Sequence, residues 1–181
     1  MLLWCISVSE LVYALNHHFG ASFSPSLSVA LDTAICPTPR SHIVTPLFVT
    51  GVFMTVVGML IRIRCFRELG QLFTFDLSIL PGHRLVTSGS YCYVRHPSYT
   101  GSMFIVAGLA FSNLTTGSLA VECSVLGPIG SLMLCAAWWT WTLSVGVSRA
   151  IAEDKELQKR FGAEWDAYAA TTKFWFIPGL C

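Results

Sequence analysis

"YVRHPSYTGSMFIVAGLAFSNLTTGSLAV", residues 93–121, sets Arg95 and His96 directly ahead of a proline, then runs from Pro97 to Val121 without one Lys, Arg, Asp or Glu. A helix of roughly 20 apolar residues spans a bilayer, and this interval is long enough to do so. Two other intervals, Ser41–Ile61 and Cys123–Ser148, are equally free of formal charge. Of the 181 residues, 54% are hydrophobic and 12% charged, whereas soluble domains carry roughly 25% charged residues. That composition excludes an ordinary soluble domain and predicts an all-α, multi-pass integral membrane protein with about 4–5 transmembrane helices. A net charge of +1 gives no argument for a nucleic-acid partner.

The amino-terminal part reads as a first span over Leu2–Gly20, although Glu10 interrupts it, followed by a short or re-entrant apolar piece over Ser26–Cys36. No basic residue precedes the first apolar run, so it does not read as a secretory signal. Ten of the eleven Lys and Arg residues fall within Arg62–Arg95 and Arg149–Lys173. By the positive-inside rule both segments face the cytosol, joined by a helical pair made from Pro97–Val121 and Cys123–Ser148. Arg62, Arg64 and Arg67 suit a helix end whose long side chains reach up to the headgroups. Pro81-Gly82 and Ser88-Gly89 mark residues 76–95 as a loop. Beyond Arg149, residues Ile151, Leu157, Phe161, Trp165 and Tyr168 recur at helical spacing. They predict an amphipathic helix that lies at the interface or packs on the loop, with a break at Gly162. The whole chain, 1–181, reads as one domain: amino-terminal spans over 1–64, a cytosolic loop over 65–97, the helical pair over 98–148, and cytosolic or interfacial helices over 149–181.

Seven cysteines lack CxxC spacing and histidine neighbours, so neither a metal site nor a disulfide framework is expected. Asn113-Leu-Thr115 fits a glycosylation sequon facing the lumen, but its place at a helix end predicts that it goes unused. The residues suited to chemistry gather in two places. The first is the loop with His83, Tyr91 and His96, flanked by Arg84 and Arg95. Pro97 favours the first turn of a helix, whose free amides would face whatever the loop holds. The second is Arg149 and Glu153, four residues apart and so on one helix face. They read either as an exposed ion pair worth about a few tenths of a kcal/mol, or as a pair that holds one ligand of each charge sign.

Taken together, "HRLVTSGSYCYVRHPSYTG" at 83–101 and "RAIAEDKELQKRFGAEWDAY" at 149–168 resemble the signature of the isoprenylcysteine carboxyl methyltransferases, within a wider group that includes phospholipid methyltransferases. A weaker similarity extends through "RCFRELGQLFTF" at 64–75. The resemblance implies a membrane-embedded, S-adenosylmethionine-dependent protein-S-isoprenylcysteine O-methyltransferase of the endoplasmic reticulum, with its site facing the cytosol. Its partners would be the lipid bilayer and proteins ending in a prenylated cysteine, whose α-carboxylate is esterified. Carried onto this chain, the cofactor pocket takes His83, Arg84, Leu85 and Val86, then Tyr91, then His96, Pro97, Ser98 and Tyr99, and finally Glu153. Arg149 matches the arginine that holds the substrate carboxylate, and no metal is implied. Asp76 stands where a family member places a glutamine contact, and Arg95 belongs to the pattern without an assigned contact. Three alternatives stay open: methylation of a phospholipid amine or terpenoid acid, a diverged isoprenoid reductase or cyclase, and a scaffold without chemistry.

Overall fold

In the computed structural model, residues 2–16, 19, 24–36, 45–72, 84–123 and 127–179 are described. They form helices, with no strand among the described residues: α1 (Leu2–Leu15), α2 (Pro25–Ile35), α3 (Pro46–Leu69), α4 (Pro97–Asn113), the short α5 (Leu119–Glu122), α6 (Gly127–Phe161) and α7 (Ala163–Thr171). Helices α2, α3 and α4 each open on a proline, whose missing N–H is one that a first turn leaves unbonded anyway. A 3-10 turn, Gly70–Leu72, extends α3, and a second, Gly89–Cys92, lies in the loop before α4.

Among the described residues, two helices are long and apolar enough to cross a membrane: Pro46–Leu72 with 27 residues and Gly127–Phe161 with 35. Only 11% of the most apolar window of each is buried, so neither is the core helix of a soluble protein. Phe53, Ile129, Leu132, Met133 and Trp141 lie exposed along them, an arrangement that lipid satisfies and water does not. The protein is therefore an all-α membrane protein. Helices α1, α2 and α4 have 14, 11 and 17 residues, short of the roughly 20 that a perpendicular span needs. Two of the expected 4–5 spans thus meet the length criterion among the described residues. The interval 97–121 is not one continuous helix, because polar side chains draw on the backbone at its end. Asn113 Nδ2 donates to the Leu109 carbonyl at 2.9 Å, Thr115 Oγ1 to that of Phe111 at 2.7 Å, and the chain then turns into α5.

The described residues of 1–55 and 107–139 make one compact unit. In it Ala110, Leu114 and Ala120 pack with Ile6, Leu134 and Trp138. The Glu10 carboxylate accepts the Leu119 N–H at the start of α5, and Ser7 Oγ donates to Asn113 Oδ1 at 3.0 Å. Contrary to the expectation from cysteine spacing, Cys36 and Cys123 form a disulfide with Cα atoms 5.1 Å apart. They are separated by 87 residues, and Tyr13, Leu119 and Ile35 pack around them.

The described residues of 56–106 and 140–179 belong to a second unit. Here α3 and α4 cross at Gly58 and Gly101, where a Cβ on Gly58 would sit 2.5 Å from the Gly101 carbonyl and one on Gly101 2.7 Å from that of Gly58. Helix α6 runs without interruption through Arg149. The break expected at Gly162 is present: its φ of +52° ends α6 and starts α7.

Candidate functional site

The loop ahead of α4 is held from several sides, all within the second unit. Near its start, Glu68 on α3 accepts the Ser90 N–H at 2.9 Å and the Ser90 hydroxyl at 3.1 Å. Gly89 adopts a φ of +67°, and a Cβ there would run into the Glu68 carboxylate. The Tyr168 hydroxyl, on α7, donates to the Tyr91 carbonyl at 2.7 Å. Helix α7 therefore packs on the loop. Burial foremost, with Cys65 and the Glu68 charge adding to it, pushes the Tyr91 phenol well up from its ordinary pKa, so it stays a neutral donor. At the loop's end the carboxyl-terminal segment acts as a backbone clasp. The Arg95 N–H donates to the Phe174 carbonyl and the His96 N–H to that of Trp175, both at 2.9 Å, while the Thr100 hydroxyl reaches the Phe176 carbonyl at 2.5 Å.

His96 is 4% exposed and lies between two carboxylates of α6. Its Nδ1 is 3.3 Å from Glu153 Oε2 and its Nε2 is 2.9 Å from Asp154 Oδ1. Ionised carboxylates only accept, so this geometry favours a proton on each ring nitrogen, the imidazolium form. Burial opposes that charge, but the hydrogen bonds and charges of Asp154 and Glu153 outweigh it and raise the His96 pKa. The Tyr99 hydroxyl donates to Glu153 Oε1 at 2.6 Å, and Arg149, exposed one turn earlier on the same face of α6, also acts on that hydroxyl. Arg95 Nη1 pairs with Asp154 Oδ2 at 2.9 Å, and its guanidinium stacks with Trp165 at 5.6 Å and Trp175 at 5.4 Å from the ring centroids.

Of the residues expected from the sequence, Tyr91, His96, Pro97, Ser98, Tyr99, Arg149 and Glu153 are brought to this region. Leu85 and Val86 are half-buried and Arg84 is exposed on the strand of loop leading to it. His83 and Asp76 lie outside the described residues. The sequence reading assigned nothing to Asp154 and left Arg95 undecided; the structure joins them to each other and to His96. Trp165 and Tyr168 were expected on an amphipathic helix that could pack on the loop, as α7 does through Tyr168, but the contact of Trp165 with Arg95 and the 174–176 clasp were not foreseen. The periodicity of α7 and the aromatic run after Lys173 were visible, but pairing between distant backbone segments leaves no trace in composition.

The fold and this cluster define an integral membrane protein whose polar site is assembled where apolar helices end. Comparison at the level of families matches residues 50–158 to the isoprenylcysteine carboxyl methyltransferase (ICMT) family. The chain belongs to that family, and is thus a membrane methyltransferase. No individual curated protein matches it. The matched region takes in α3 from Thr50, the loop, α4, α5 and α6 through Gln158, and stops short of α7 and the clasp. Methyltransferases of this family use S-adenosylmethionine. The donor set fits such a cation-bearing, amphiphilic molecule: Glu153 is an acid whose side chain remains 32% exposed, the Tyr99 phenol donates to it, and Arg95 Nε and Trp165 Nε1 are buried donors without a partner among the described residues.

Proposed function

We propose that the protein transfers a methyl group from S-adenosylmethionine to the α-carboxylate of a carboxyl-terminal prenylated cysteine, at the cytosolic face of the endoplasmic reticulum membrane. One observation carries the reading: His96 and Tyr99, from the loop and the start of α4, converge on Glu153, while Arg149 occupies the same face of α6 one turn before. An acid and an arginine thus share one face of α6 beside the loop and the start of α4. The acid suits the cofactor, with Arg84, Leu85, Val86, Tyr91, Pro97 and Ser98 as the further binding residues together with His83. The arginine suits a carboxylate whose lipid stays in the bilayer.

S-adenosylmethionine, when bound, supplies an electrophilic methyl on a sulfonium. The acceptor carboxylate has a pKa near about 3.5 and is already ionised at neutral pH, so no residue is required as a general base. Arg149 holds that carboxylate in a forked contact and fixes which oxygen is presented. Water exclusion by Trp175 and Phe176 beside His96 removes hydration that would otherwise stabilise the ionised acceptor. Orientation has independent support. The two basic segments, Arg62–Arg95 and Arg149–Lys173, flank the site, which by the positive-inside rule faces the cytosol.

A methylation assay in liposomes tests the reading, with N-acetyl-farnesylcysteine set against a phospholipid amine and a free terpenoid acid. The expected result is methylation of the prenylcysteine and its loss in Arg149→Ala. Preference for the amine, or a near-normal rate without Arg149, overturns the substrate assignment.

A further inference from the structure

Asp154, like Arg95, is a member of the cluster to which the sequence pattern gives no task, yet it joins two loop residues at once. Its Oδ2 receives Arg95 and its Oδ1 receives His96, both at 2.9 Å, and its side chain is only 12% exposed. Arg95 and His96 are consecutive, so this single carboxylate pins the last two loop residues before Pro97 to α6. Glu153 holds His96 more loosely, at 3.3 Å, and shares its other oxygen with Tyr99. A cofactor that engages Glu153 competes for those oxygens. Asp154 is the hold that does not compete, because both of its oxygens are committed to the loop.

We infer that Asp154 is a positioning residue: it anchors Arg95 and His96 so that the loop presents the cofactor-binding face beside Glu153 while Glu153 itself turns to the cofactor. The inference rests on the methyltransferase reading above for what the face binds, but not for the anchoring. The charged groups facing His96 are Glu153 and Asp154 from α6 and Arg95 from its own loop, with the Tyr99 phenol from α4. Removing the Asp154 charge leaves Arg95 beside the imidazolium without its counter-ion, so the imidazolium becomes harder to form. The cost falls on loop geometry and on cofactor affinity. The substrate arginine stands five residues earlier on α6, on the face of Glu153.

The test compares wild type with Asp154→Asn, Asp154→Glu and, as a control, the exposed Glu156→Gln. Two quantities are read in detergent micelles: the pH titration of the His96 imidazole by NMR in the cofactor-free protein, and the Kd of S-adenosylmethionine. Asn keeps the size and one acceptor but loses the charge. It is expected to move the His96 titration to lower pH and to weaken cofactor binding on the order of tenfold or more, a loss of about 1.4 kcal/mol. The KM for prenylcysteine should stay near wild type, which separates positioning from general unfolding. Asp154→Glu restores the charge and should recover the titration, and it carries the test if the Asn variant fails to fold. Glu156→Gln should change neither quantity. An unchanged His96 titration and cofactor Kd in Asp154→Asn overturn the inference. If the wild type itself binds no S-adenosylmethionine, the methyltransferase reading fails, and the cofactor-free titration still decides whether Asp154 anchors His96.

Discussion

His96 is a buried imidazole whose protonated form is favoured by its two carboxylate neighbours. Its pKa is raised in the folded chain, and in the unfolded chain it returns to about 6.5. A group whose pKa rises on folding binds its proton more tightly in the native state, so its contribution to stability is fully present below the unfolded pKa. That contribution is lost as pH rises through the folded value. Thermal unfolding of the detergent-solubilised protein should therefore show a stability decline on the alkaline side of pH 6.5 that His96→Gln removes. An identical pH dependence in the variant would mean that His96 is not the group responsible. Asn113 makes a second residue-scale case. It is 4% exposed and bonded to Ser7 and Leu109, so its sequon is expected to remain unmodified on expression in a glycosylating host, with no mobility change after glycosidase treatment.

Among elements, the crossing of α3 and α4 depends on two glycines that let the backbones meet. The Gly58 carbonyl faces Gly101 and the Gly101 carbonyl faces Gly58, at a separation that no Cβ fits without movement. Gly58→Ala and Gly101→Ala are each expected to destabilise by about 1–3 kcal/mol, the usual range for overpacking a tight contact, read as a lowered unfolding midpoint. Both should weaken cofactor binding as well, since α4 carries Pro97, Ser98 and Tyr99 at its first turn. Wild-type stability in either variant would show that the helices slide apart at little cost. The sequence made α3 and α4 legible as apolar segments, but a glycine at one position carries no mark of its partner on another helix.

For the molecule as a whole, the question is which side of the membrane each end of the helices faces. The Cys36–Cys123 pair closes a long stretch of chain, and its removal by Cys123→Ser is expected to lower stability by about 2–4 kcal/mol. Sidedness follows from labelling sealed microsomes with an impermeant maleimide, using a variant that retains Cys92 as its only cysteine besides the pair. Cys92 is exposed in the loop and should react from the cytosolic side. Cys36 and Cys123 should react only after permeabilisation and reduction. Labelling of the pair from the cytosolic side would reverse the proposed orientation.

What the sequence by itself determined is the solvent each segment prefers and the chemistry each segment carries. Uncharged intervals, prolines at helix starts, the glycine break at 162 and the paired motifs around His96 and Glu153 are local properties, written in residue type and spacing. Only the tertiary structure decided who meets whom: Asp154 with Arg95 and His96, Cys36 with Cys123, Gly58 with Gly101, and residues 174–176 with the loop. Each of these contacts joins residues far apart in the chain. A hydrogen bond, an ion pair or a close backbone approach acts over a few ångströms, and the distance between such partners is set by how the helices pack rather than by how many residues lie between them.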